Sequence, residues 1–187
     1  MKSSYSLYSK VAYNINKFKI NNNLKKVFGI SGWSGSGKTT LVKKLIKFFT
    51  EECNLKVCAI KHAHENFEID HKGKDTYEFA KAGAKKVIVS SSKKLAVIDY
   101  NHGKKTIDNI LELSGAADIV LVEGWKNSRL KKIEIYRDSI KKPILYKNDM
   151  NFIAVASDNP NLKLERKIML LNLNNVQQIA NFIIENN

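Results

Sequence analysis

Acidic residues are outnumbered, cysteines number only two, and no long hydrophobic run occurs in the 187 residues. No stretch approaches the roughly 20 apolar residues of a bilayer-spanning helix, so no such helix is expected. Lys2 is followed by no apolar segment of signal-peptide type, so the expected compartment is the cytoplasm. Cys53 and Cys58 have neither a metal-ligand nor a redox spacing, and a reducing cytosol disfavours a structural disulfide. Cys58 lies in the apolar run VCAI and reads as a small core residue. Arginine is rare as well: Arg129, Arg137 and Arg166 are scattered, with no clustered lid among them.

What is present suits one soluble globular domain, with 43% hydrophobic and 27% charged residues. A formal net charge of +14 raises the question of a polyanionic partner. Abundant Lys, Asn and Ile are also what A+T-rich coding sequence produces, and Lys43, Lys44 and Lys47 fall on the polar side of a helical pattern. No recognition-helix, zinc-finger or RNA-binding signature accompanies the charge, so no specific nucleic-acid partner is expected. Residues 1–26 stand apart, with six lysines and no acid. Tyr8, Val11, Ala12, Ile15 and Phe18 recur at helical spacing there; a basic amphipathic helix and a poorly ordered tail are both open readings.

From residue 27 to the end, apolar runs alternate with amphipathic segments. KVFGI, KVCAIKH, KVIVSSS, KLAVIDY, DIVLVEGW, FIAVAS and KIMLLN read as strands. KKIEIYR alternates polar and apolar residues and is expected to be an edge or partly exposed strand. Helices are expected from Thr39 to Phe49, from Asp75 to a stop at Gly83, over TIDNILELSG, and from Asn175 to Asn186. Such alternation predicts an α/β domain: a mainly parallel sheet with helices on both faces and a strand-rich insertion.

GWSGSGKTT follows the first strand and opens the first helix. It matches the G-x-x-x-x-G-K-[ST] phosphate loop in full, from Gly32 to Thr39. Glycines let successive N–H groups point into one concavity, and the helix N-terminus adds partial positive charge. Lys38 can then reach the β- and γ-phosphates and the Thr39 hydroxyl can ligate Mg²⁺. The stretch is expected to hold a nucleoside triphosphate. Glu123, closing the apolar run DIVLVE, stands where a carboxylate near the metal belongs, at the carboxyl end of a strand. Asp118 opens the same strand and is expected to be structural. The polar stretch from Ala63 to Lys74 reads either as a cover over the triphosphate, with Asp70 near Mg²⁺ or its water, or as a solvated loop. A metal site from His62, His64 and Asp70 has only weak support.

GWSGSGKTTL, IKHAHENFEIDHKGKDTYEFAKAGA, ADIVLVEGWK and FIAVASD together resemble the MobB family, the molybdopterin-guanine dinucleotide biosynthesis adapter proteins. The resemblance runs from Lys26 onward and is most specific between Lys61 and Ala84. It implies a P-loop fold that binds GTP with Mg²⁺, hydrolyses it weakly and usually forms a homodimer. It also implies partnership with a MobA-type guanylyltransferase and a MoeA-type molybdenum-insertion protein. By position it places Gly35, Ser36, Gly37, Lys38, Thr39 and Thr40 on the phosphates. Lys38, Asp70 and Glu123 become the catalytic set, and Thr39, Asp70 and Glu123 the surroundings of the metal. Many members read Lys-His-x-His-His, whereas Glu65 replaces the second adjacent histidine here. By analogy with P-loop GTPases, Asp158 after FIAVAS either accepts from guanine or opens the turn SDNP. The rival reading is a P-loop small-molecule kinase, against which the missing arginine lid counts.

Overall fold

The computed structural model describes residues 25–63, 67–100, 103 and 105–186. The extension expected at 1–26 lies outside these residues apart from Lys25 and Lys26, as do His64 and Glu65. The described residues up to His62 and from Ser114 onward form one compact unit, and those from Ala63 to Leu113 form a second.

The first unit begins with β1 (Lys26–Ser31), α1 (Lys38–Lys47) and β2 (Val57–Lys61). The second unit supplies α2 (Asp75–Lys81), β3 (Lys86–Ser90), β4 (Leu95–Asp99) and α3 (Ile107–Glu112). The first unit resumes with β5 (Ile119–Glu123), β6 (Lys132–Tyr136), β7 (Phe152–Ser157), β8 (Met169–Asn172) and α4 (Val176–Glu185).

Its six strands form one parallel sheet in the order β2-β5-β1-β6-β7-β8, so β1 sits between β5 and β6. The side-chain period of two sorts each strand between faces. Phe28, Ile30, Ile119, Leu121, Ile133, Ile135, Ala154 and Ala156 share one face. Against it pack Leu41, Leu45 and Phe49 of α1 and its π-helical extension, with Ile179 and Ile183 of α4. Lys43, Lys44 and Lys47 are exposed, as the helical pattern required. The parallel sheet carries its two long helices on this one face. Over β6–β8 the other face is covered by turns and loops, which bring Tyr146, Leu162, Leu164 and Ile168 onto Phe152 and Val155. Asp118 is structural: its Oδ2 accepts from the Lys56 backbone N–H at 2.7 Å.

The edge position expected for KKIEIYR is corrected by the structure. β6 lies inside the sheet, and its alternating charged residues are buried together with their partners. Lys132 donates from Nζ to the carbonyls of Lys126 and Ser128 and pairs with Asp149 at 2.7 Å. Both Glu134 oxygens accept backbone N–H groups, from Leu145 at 2.8 Å and Tyr146 at 2.9 Å. Burial pushes the Glu134 carboxyl up, and these two bonds pull it part of the way back. Alternation marks a half-exposed strand only when the polar residues find water. Here they find loop backbone instead.

In the second unit α2 ends as expected before Gly83, and β3 and β4 pair antiparallel around Lys93 and Lys94. Thr106 and Asn109 form a reciprocal capping box at the start of α3.

The buried Lys132 generates a stability prediction. Lys132→Ala should cost about 3–5 kcal/mol in denaturant unfolding, because it strands two carbonyls and a carboxylate. Burial raises the Asp149 carboxyl, but bonds from Lys132 and Asn151 outweigh that and hold it below its ordinary 3.8. This contribution is therefore present above 3.8 and lost as pH falls through the folded value, so the deficit should narrow on acidification. A cost below about 1 kcal/mol at neutral pH, the range of an exposed pair, would contradict it.

Candidate functional site

The loops after β5, β1 and β6 leave the same edge of the parallel sheet side by side, where α/β sheets bind ligands. The loop after β1 is the glycine-rich stretch. Gly32 lies at φ 152°, and a Cβ there would stand 2.5 Å from the Ile135 carbonyl oxygen of β6. Only glycine lets the loop pass so close. Gly35 and Gly37 adopt left-handed φ of 81° and 95°, and Gly37 is the N-cap of α1. Left-handed residues next to a helix start turn successive N–H groups inward, which makes a concave anion nest.

Two polar side chains of this loop are hydrogen-bonded and a third is not. Ser36 is buried, and its Oγ has no partner among the described residues. Lys38 donates from Nζ to the Trp33 carbonyl at 2.8 Å, so its ammonium lies back across the loop. Burial lowers the Lys38 pKa; Glu123 raises it again and Lys61 lowers it. Thr39 donates from Oγ1 to Glu123 Oε1 at 2.8 Å. The hydroxyl and carboxylate expected around a metal thus meet directly, across adjacent strands. Glu123 is buried at the end of β5, and Lys61, its register partner on β2, holds Nζ 3.8 Å from the same oxygen.

The next residues set the direction of the β5 loop. His62 donates its backbone N–H to the Glu123 carbonyl, and its ring stacks on Trp125 at 4.6 Å. Trp125 itself adopts φ 48°, an unusual conformation for a bulky residue. Trp33 donates from Nε1 to the Pro143 carbonyl, and the ammonium groups of Lys126 and Lys142 lie 5.3 and 5.8 Å from its ring. Lys61, Lys126 and Lys142 therefore add positive charge around the phosphate loop.

Arg137, directly after β6, was not singled out for this site by the sequence. It donates from Nε to the Ser36 carbonyl at 3.1 Å and from Nη1 to Asp158 Oδ2. Asp158, at the end of β7, is thereby tied to the phosphate loop through one guanidinium. The contact joins residues 101 positions apart, so no local motif signals it. Arg166 works elsewhere in the molecule, lying over the Tyr146 ring and donating to the Phe152 carbonyl.

The structure thus brings Lys38, Thr39 and Glu123 together and links Asp158 to them by Arg137. Asp70 belongs to the second unit. Its Oδ1 accepts from Thr76 Oγ1 at 2.9 Å and from the His71 N–H at 3.0 Å, while Oδ2 is buried without a partner among the described residues. Among the described residues no cluster of three His, Cys, Asp or Glu side chains has the makings of a metal site, and His64 lies outside them. Cys53 and Cys58 are free and half-buried.

A family model described as molybdopterin guanine dinucleotide synthesis protein B matches residues 27–158, the phosphate loop and Glu123 included. The molybdopterin-guanine dinucleotide biosynthesis adapter protein of Haemophilus influenzae is 37% identical over 164 residues, covering 87% of this chain and 89% of that protein. Its Escherichia coli counterpart is 36% identical, covering 85% and 91%. Among solved structures, Bacillus subtilis MobB superposes with a TM-score of 0.67 at 20% identity, over 86% of this chain and 96% of that one, a likeness of fold. Joined to relatives along most of its length and to a family model over its glycine-rich loop, the chain belongs to the MobB family.

Proposed function

We propose that this chain is a GTP-binding adapter of molybdopterin guanine dinucleotide biosynthesis. The observation that carries the nucleotide part is the 2.8 Å contact between Thr39 Oγ1 and Glu123 Oε1 at the mouth of an anion nest. A hydroxyl and a carboxylate are hard oxygen donors of the kind Mg²⁺ takes when phosphates supply further ligands. Bound there, the ion would neutralise charge on the β- and γ-phosphates. Lys38 would turn from the Trp33 carbonyl to the phosphates, and the nest N–H groups would hold their oxygens. Thr40, the third residue of α1, completes the phosphate contacts.

Hydrolysis is slow in this reading, because the two glutamines of the chain, Gln177 and Gln178, both belong to the last helix and not to the loops after β1 or β5. The adapter's product-forming partner is a MobA-type guanylyltransferase, with a MoeA-type molybdenum-insertion protein beside it, in the cytoplasm. The basis for these partners is family membership.

A homodimer is the assembly we favour. The β3–β4 ribbon pairs Ile88 with Val97 and Ser90 with Leu95, so Ile88, Leu95 and Val97 share one face. All three are more than half exposed. A lone two-stranded ribbon is marginal in water, and apolar residues grouped on it suit a second copy. Val97→Lys should convert dimer to monomer in sedimentation equilibrium while leaving GTP binding in place. A wild-type monomer at all concentrations would remove the dimer from the proposal.

The nucleotide reading is tested at Lys38. Lys38→Ala should lose GTP affinity ten- to a hundredfold, on the basis of about 1.5–3 kcal/mol for a charge-assisted bond. Affinity retained within twofold on the folded variant would reject the phosphate role. Wild-type preference for ATP over GTP, with phosphate passed to a small acceptor, would favour a kinase instead.

A further inference from the structure

Glu123 is sheltered, yet its carboxylate meets a lysine that is not. The Glu123 side chain is 11% exposed and that of Lys61 64%, with Lys61 Nζ 3.8 Å from Glu123 Oε1. The same oxygen accepts from Thr39 Oγ1 at 2.8 Å. We propose that Lys61 is an exchangeable counter-ion. It balances Glu123 in the metal-free chain, then yields the carboxylate to Mg²⁺ and gives its ammonium to the terminal phosphate of a triphosphate. Lys61 is thereby the residue that tells a nucleoside triphosphate from a diphosphate. The inference rests on the nucleotide reading proposed above.

Register fixes where this lysine stands. Lys61 of β2 pairs with Glu123 of β5, and Glu123 pairs with Ile30 of β1. Paired residues of parallel neighbours share a face, so the three form one row. Ile30 packs with Leu41 and Leu45 of α1, which puts the row on the face that carries this helix. The row lies two residues short of Gly32, at the edge from which the phosphate loop leaves. The His62 N–H donates to the Glu123 carbonyl at 2.9 Å, so the ladder continues past Lys61 and holds its backbone. β2 is the outermost strand of the sheet, and the long stem of Lys61 reaches out from it into solvent. The backbone is fixed while the ammonium is free to turn.

Electrostatics favours the exchange. Besides burial and the opposing pull of Glu123, the charge of Lys61 lowers the Lys38 pKa, so both ammonium groups act at the mouth of the nest. A well-exposed ion pair at this distance contributes little net stability, and giving it up costs little. The carboxylate and the Thr39 hydroxyl are hard oxygen donors, which suit a divalent cation better than an ammonium. Lys61 would then repel an ion on Glu123 unless it moved to a new anion. The inner phosphates have the nest N–H groups and Lys38. The terminal phosphate lies on the side of the acid that holds the metal, which is the side Lys61 occupies. A diphosphate offers no oxygens there.

The test compares GTP and GDP affinities of the full chain across a Mg²⁺ titration, in wild type, Lys61→Met and Lys61→Arg. Methionine keeps most of the stem and removes the charge, and circular dichroism checks that each variant folds. GDP lacks the terminal phosphate and so reports the counter-ion role alone. Lys61→Met should reach its full GDP affinity at about threefold lower Mg²⁺, with that final affinity within about twofold of wild type. Its GTP affinity at saturating Mg²⁺ should fall about tenfold, which removes most of the preference for GTP over GDP. Lys61→Arg, which keeps the charge, should hold GTP within about threefold of wild type. The two shifts in Lys61→Met have opposite signs, whereas a general defect of the loop would weaken everything together. A Mg²⁺ midpoint unchanged or raised in Lys61→Met, GTP affinity unchanged, or GTP and GDP weakening in step would each overturn the exchange. Wild type binding neither nucleotide would reject the nucleotide reading itself, and the exchange with it.

Discussion

The hydrogen bond from Thr39 to Glu123 is the contact on which the site depends. It needs β1 and β5 to be adjacent and parallel, so that the helix after one meets the last residue of the other. Any strand order that separated them would leave a glycine-rich loop with no acid beside it. Glu123 sits at the end of an otherwise apolar strand, buried there with its carboxylate facing the hydroxyl. Lys61 on the far side of β5 is placed by the same register and faces the same oxygen.

Support comes from charged groups that would be costly if unpaired. Lys132 gathers the carbonyls of Lys126 and Ser128, which fixes the loop that follows Glu123. Glu134 does the same for the segment at Leu145 and Tyr146. Both residues project from β6, the strand that also brings its Ile135 carbonyl against Gly32 and ends at Arg137. One strand thus braces the phosphate loop from beneath, orders the neighbouring loops and carries the link to Asp158. Removing a partner from such a pair leaves a buried charge, so each tie is strong as a constraint even where its net stabilisation is modest.

Local chemistry made much of this legible in the sequence. The phosphate loop declares itself through glycine spacing, a lysine and a hydroxyl. The stop at Gly83, the turn at Lys93 and Lys94, and the terminal helix follow from helix and hairpin signals that need no partner. Asp118 could be assigned a structural role from its place at the start of a strand. Long-range pairing was out of reach. KKIEIYR looked like an edge because alternation cannot show that Lys132 and Glu134 would be met by loop backbone. Arg137 looked scattered because its partners, Ser36 and Asp158, are distant in sequence.

In the function we propose, the Thr39–Glu123 pair is a metal-binding element serving a bound triphosphate. GTP affinity measured across a titration of free Mg²⁺, in wild type and in Glu123→Gln, tests it most directly. The amide keeps the shape of the side chain and an acceptor for Thr39 but removes the charge that attracts the ion. Wild type should tighten as Mg²⁺ rises, and Glu123→Gln should stay nearly flat at the metal-free affinity. A wild-type affinity indifferent to Mg²⁺, or a Glu123→Gln curve that overlays the wild type, would contradict it.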